Sequence, residues 1–146
     1  MTNQIYSTIY SSRARMDFGA LQLNKLTTAA QQFNYDTDIT GFLYYDGGFF
    51  FQYIEGPQEA LGYLFSRIEG DRRHSVMCSA TEPLQRERLF KGWSMHLIGR
   101  QALVDAKVEG SLIELMHCGP SEQGATRWYR DAFKLASKIS EHANGY

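Results

Sequence analysis

Residues 39–57 read ITGFLYYDGGFFFQYIEGP. Two runs of aromatic and branched apolar residues flank Asp46-Gly47-Gly48, a strong short-range signal for a β-hairpin. The spacing predicts strands over 39–45 and 49–55. On the second strand Phe50, Gln52 and Ile54 point one way and Phe49, Phe51 and Tyr53 the other, because side chains alternate across a strand. Both faces are apolar, so both need cover. Gln52 is the exception. Its amide brings two donors and an acceptor into an apolar setting, and burying it unpaired costs about 1–3 kcal/mol.

Outward from the hairpin, QIYSTIYS at 4–11 alternates β-favouring residues and predicts a first strand. Asp17 suits the N-cap of a helix running to about Asn34, in which Leu23, Leu26, Ala30 and Phe33 recur at helical spacing. Gly56-Pro57 predicts the start of a second helix, since proline is tolerated at the first helical position. Leu61, Leu64, Phe65 and Ile68 form its apolar face, and GDRRHS at 70–75 closes it. Strands near 76–83 and 92–98 follow, split by the polar PLQRERLFKG. The order βαββαββ around an antiparallel hairpin implies an α+β, ferredoxin-like sandwich with both helices on one face of the sheet. Val108, Leu112, Leu115 and Met116 predict a short helix over about 110–117, ended by Gly119-Pro120. Trp128, Ala132, Leu135, Ala136 and Ile139 predict a longer one over about 122–142. These two C-terminal helices are expected to cover the second face. Residues 1–100 then form one domain, and 101–146 a helical extension packing on the sheet.

The composition is that of an ordinary globular chain, with 43% apolar and 21% charged residues in a length of 146. A net charge of −1 gives no general electrostatic reason to bind nucleic acid or an anionic membrane. Cys78 and Cys118 form no CxxC and no metal spacing, which favours a reduced compartment. The N-terminus lacks a charged n-region and a long apolar h-region, and no run approaches the ~18 apolar residues of a membrane span. The expectation is a cytoplasmic protein.

Enzyme signatures are missing: there is no GxGxxG, P-loop, GxSxG or HExxH. No pair among His74, His96, His117 and His142 has metal-ligand spacing. Glu55 and Glu59 sit at a strand end and a helix start, where the helix dipole favours acids. What stands out is a set of polar residues inside apolar elements: Tyr10, Asn34 and Gln52. Each has a plain reading alone, as a sheet tyrosine, a helix C-cap and a core amide paired to backbone. Together they offer a phenol, a carbonyl and an amide between two helices and a sheet. A planar heterocycle with alternating donors and acceptors would satisfy all three.

FNYDTDITGFLYYDGGFFFQYIEGP, then GDRRHS, then FKGWSM, resembles the BLUF domain, a flavin-binding blue-light sensor, over Ile5 to about Arg100. The resemblance implies a non-enzymatic photoreceptor holding FAD noncovalently, with replacement by FMN or riboflavin left open. Tyr10 matches the family's redox-active tyrosine, Asn34 the asparagine near the flavin C4 carbonyl, and Gln52 the glutamine beside N5 and that carbonyl. Arg67, Asp71, Arg73 and His74 fall where the second helix and the following turn approach the cofactor in relatives. Trp93 and Met95 match residues of the fifth strand, where they would share one face and relay the signal to the C-terminal helices. Phe33 departs from the polar or imidazole side chain common at its position. By the family's mechanism Tyr10 gives up an electron and a proton, and the Gln52 amide is left rotated or tautomerised. The implied partners are flavin and a downstream signalling protein, with a homo-oligomer also open and neither nucleic acid nor membrane expected. A ligand-free ferredoxin-like interaction module and a small flavin enzyme are the alternatives.

Overall fold

The computed structural model describes residues 4–117 and 124–144; the Gly119-Pro120 break and Cys118 lie outside them. The elements are β1 (Ile5–Ala14), α1 (Ala20–Asp36), β2 (Thr40–Asp46), β3 (Phe49–Pro57), α2 (Gln58–Glu69), β4 (His74–Pro83), β5 (His96–Leu97), α3 (Arg100–Asp105), α4 (Glu109–His117) and α5 (Ala125–Asn144). The sheet order is β4-β1-β3-β2-β5, antiparallel except for the parallel β2–β5 pair. This is the ferredoxin-like sandwich, with β3 at its centre.

The hairpin closes through Gly47 and Gly48, both at positive φ (59° and 87°), as a type I′ turn requires of its two central residues. Gly41 is required by a close approach: a Cβ there would lie 1.9 Å from the Tyr53 carbonyl oxygen. The two faces of β3 divide as the alternation predicts. Phe50 and Ile54 join Phe18, Ile39, Leu43, Leu61 and Met95 beneath α1 and α2. Phe51 and Tyr53 join Leu103, Leu112, Met116, Trp128 and Ala132 beneath the C-terminal helices.

Four local expectations are corrected. The N-cap of α1 is Gly19 rather than Asp17: Phe18 is buried in the pocket-side core, and the Gly19 N–H donates to Gln22 Oε1 at 2.5 Å. Asn34 is not the C-cap; α1 continues to Asp36 and Thr37 caps it. The fifth strand shrinks to two residues, because side chains of α1 take two of the three carbonyls just before it. The carbonyls of Trp93, Ser94 and Met95 accept from Gly41 N–H, Asn34 Nδ2 and Gln31 Nε2. Among the described residues the extension holds three helices rather than two. The added α3 spans six residues, too few for a readable period, and buries Leu103. No described helix is long and apolar enough to cross a membrane.

The buried tyrosines give the fold a pH signature. Burial first, and a neighbouring carboxylate second, raise the phenols of Tyr10 (near Asp71), Tyr53 (near Glu55) and Tyr44 (near Asp46), the last to about 12. Above a pH of about 10 the unfolded chain releases these phenolic protons while the folded chain keeps them. Stability is then lost as pH rises. The melting temperature should hold level to about pH 9 and fall between about 10 and 12. A melting temperature unchanged across that window would show that the phenols ionise freely.

Candidate light-sensing site

Between α1, α2 and the sheet lies a cavity of about 260 Å³. Leu26, Ala29, Ala30, Leu43, Phe50, Leu64 and Ile68 supply apolar walls. Tyr10, Asn34, Gln52, Arg67, Asp71, Arg73, His74 and Met95 supply every polar or polarisable group that the sequence placed near a ligand, save Trp93.

Sheet register brings the central pair together. Tyr10 on β1 lies directly opposite Gln52 on β3, so both side chains stand on the same face. The Tyr10 O–H donates to Gln52 Oε1 at 2.5 Å, a short neutral O–H···O contact. Gln52 Nε2 donates to Met95 Sδ at 3.3 Å. The amide is therefore satisfied by side chains, not by backbone as its plain reading had it. Burial and the charge of Asp71 keep Tyr10 protonated well beyond the ordinary tyrosine range.

Asn34 is fully buried. Its Nδ2 donates to the Ser94 carbonyl at 2.7 Å, whereas its Oδ1 is buried without a hydrogen-bond partner. Such an orphan costs about 1–3 kcal/mol, and Asn34 lines the same cavity as Tyr10 and Gln52.

The turn after α2 forms the polar end. Arg73 grips Asp71 through Nε and Nη2, at 3.0 and 2.6 Å. Those hydrogen bonds first, and Arg73's charge with them, outweigh partial burial and hold the Asp71 carboxyl at about 2. His74 is buried, with Nδ1 on Ser12 Oγ at 2.7 Å and Nε2 on the Ile68 carbonyl at 2.6 Å. Arg67, Arg72 and Arg73 around it are exposed, so the turn keeps a solvated basic side next to buried His74.

Met95 and Trp93 do not share a face. Met95 is buried in the pocket-side core. Trp93 packs toward the opposite core and stacks on His96 at 4.1 Å. Both precede β5, where the chain is not a regular strand and alternation does not apply. Sequence reasoning did not show that Glu55 is buried. Its place beside a helix start suggested a dipole partner, yet it is fully buried on the far face of β3. Among the described residues no group of His, Cys, Asp or Glu side chains could hold a metal ion.

Compared with known families, residues 5–96 match BLUF, described as sensors of blue-light using FAD. The chain belongs to the BLUF family. Among curated BLUF relatives, the Escherichia coli (strain K12) blue light- and temperature-regulated antirepressor BluF is 35% identical over 66 residues, 45% of this chain and 16% of that protein. The Euglena longa photoactivated adenylate cyclase subunit beta is 32% identical over 87 residues, 59% of this chain and 10% of that protein. The chain thus matches a small part of these longer proteins. Among solved structures, BlrB, a BLUF protein in its dark state, superposes with a TM-score of 0.75 at 29% identity, covering 97% of this chain and 98% of BlrB. BlsA in its photo-activated state gives 0.67 at 25% identity, covering 93% and 94%. The BLUF likeness to these two structures extends through the C-terminal helices as well as the sheet.

Proposed function

We propose that this protein is a blue-light photoreceptor, holding FAD between α1 and α2 and passing its signal to a partner protein. One observation carries the reading: the orphaned Asn34 Oδ1 shares a cavity with the Tyr10–Gln52 hydrogen bond. An acceptor without a protein donor suits a ligand N–H, and the apolar walls suit a ring. The cavity falls below the ~300–1,000 Å³ usual for drug-sized ligands, so only the ring end of a dinucleotide fits inside. Arg67, Asp71, Arg73 and His74 line its polar end and would meet the tail. FMN or riboflavin would substitute wherever the ring contacts dominate.

Bound there, the flavin ring supplies blue-light absorption and, once excited, a strong oxidant. The protein's part is to hold and move a proton. Tyr10 would keep its proton on the phenol oxygen until oxidised, and the 2.5 Å bond to Gln52 Oε1 would let electron and proton leave together and later return together to the phenol. Gln52 can then exchange the ends of its amide by rotation, or its protons by tautomerisation. Either change turns an acceptor into a donor with almost no change of shape. Rotation directs oxygen at the Met95 sulfur in place of N–H, and so removes the bond that holds the amide there. The switch is thus felt at Met95.

Residues 1–100 serve as the photosensory unit and 101–146 as the extension that reads it, Met95 being the relay and Trp93 a less direct one. The antirepressor and cyclases among the relatives support output through protein contact rather than through catalysis by this unit. Flavin-loaded protein should shift its absorption reversibly to the red under blue light. Identical lit and dark spectra from a folded, loaded sample would overturn the reading.

Asn34→Ala removes the orphaned acceptor. Flavin affinity, titrated by fluorescence quenching, should fall by about 1 kcal/mol, the worth of one hydrogen bond. An unchanged affinity would mean that Asn34 does not touch the ring.

A further inference from the structure

Glu55 lies three positions along β3 from Gln52, on the opposite face, and is 0% exposed. Its Oε1 accepts from Tyr53 O–H at 2.8 Å and Leu89 N–H at 2.9 Å. Its Oε2 accepts from Thr40 O–H and Phe90 N–H, both at 2.8 Å. A carboxylate has about four acceptor positions, and all of them are used. Arg88 reinforces the site from outside, donating to Thr40 Oγ1 at 3.0 Å, to the Glu55 carbonyl at 3.3 Å and to Asp38 Oδ2 at 2.8 Å. The turn at Leu89-Phe90 is thereby fastened to the sheet through its backbone amides.

From that turn the chain runs as a strap to Met95. Trp93 N–H donates to the Phe90 carbonyl at 3.2 Å, and Gly41 N–H to the Trp93 carbonyl at 2.8 Å. Asn34 holds the Ser94 carbonyl, Gln31 the Met95 carbonyl, and Gln52 the Met95 sulfur. β5 itself is only two residues long, so these bonds, with the one from Gly41 of β2 among them, set where the strap lies. Glu55 grips one end and Gln52 the other. The same turn also meets α5, where Ser140 Oγ donates to the Leu89 carbonyl at 2.5 Å.

We infer that Glu55 is a positioning residue of the photoswitch. Its carboxylate sets where the strap presents the Met95 sulfur to the Gln52 amide, and so sets how long the light-switched amide persists. This rests on the photoreceptor reading above. Glutamine at this site would bring an NH₂ among four donors, loosening the turn without changing its volume.

The test is a double-mutant cycle on flavin-loaded protein, reading the rate of thermal return to the dark spectrum in the wild type, Glu55→Gln, Met95→Ala and the double variant. Glu55→Gln should change that rate by about tenfold, within the range of coupled networks. On the Met95→Ala background the same substitution should change it by less than about twofold. An equal change on both backgrounds would reduce Glu55 to a structural residue and overturn the inference. Should Glu55→Gln fail to fold, Thr40→Val and Tyr53→Phe each remove one donor and go through the same cycle. Each is expected to give about a threefold effect that vanishes without Met95. A wild type with no red shift overturns the photoreceptor reading itself, and this inference with it.

Discussion

Gln52→Leu is expected to keep its flavin and lose the light-induced red shift completely. Leucine fills nearly the same volume on the pocket face of β3, so the cavity walls persist. What disappears is the one group able to exchange donor for acceptor between Tyr10 and Met95. The buried Tyr10 O–H is then left without its acceptor, which costs about 1–3 kcal/mol. At about 2–4 °C per kcal/mol for a chain of this size, the melting temperature should drop measurably while the protein stays folded. A light-minus-dark spectrum decides the matter. A normal red shift from this variant would show that the switching group is not the Gln52 amide.

Tyr10→Phe should have an equally large optical effect for a different reason. The ring keeps its neighbours, Phe65 at 5.7 Å and His74 at 6.1 Å between centroids, so packing changes little. The phenolic proton is gone, and with it the donor to Gln52 Oε1. Without a coupled electron and proton source beside the amide, the red-shifted state should not accumulate. Time-resolved absorption would report excited-state decay with no long-lived product. If the variant cycles at the wild-type yield, the donor lies elsewhere, and half-buried Trp93 is the aromatic residue to examine next. The two variants also separate the roles: one removes the switch, the other its trigger.

Much of this site is legible in the sequence. The hairpin over Thr40–Pro57 rests on two glycines whose backbone conformation other residues rarely adopt, and that preference is local. The division of β3 into two apolar faces follows from a period of two, which any strand obeys. Tyr10, Asn34 and Gln52 stood out as polar residues in apolar elements, and the structure gathers them around one cavity. Family resemblance supplied the order in which to read them. Burial alone would have left three unrelated polar exceptions.

What the residues could not disclose was settled by contacts between distant parts of the chain. Glu55 looked like a helix-start acid because its four donors come from Thr40, Tyr53, Leu89 and Phe90, two of them backbone amides 34 and 35 residues away. The order of Trp93 and Met95 around Gln52 depended on a strap whose path is set by side chains of α1 and β3 together with a backbone bond from β2. Local patterns dictate which backbone conformations are cheap and which faces must be covered. Where an irregular segment lies, and which buried polar atom it satisfies, is a property of the assembled sheet and helices, because hydrogen-bond partners are chosen only when those elements have packed.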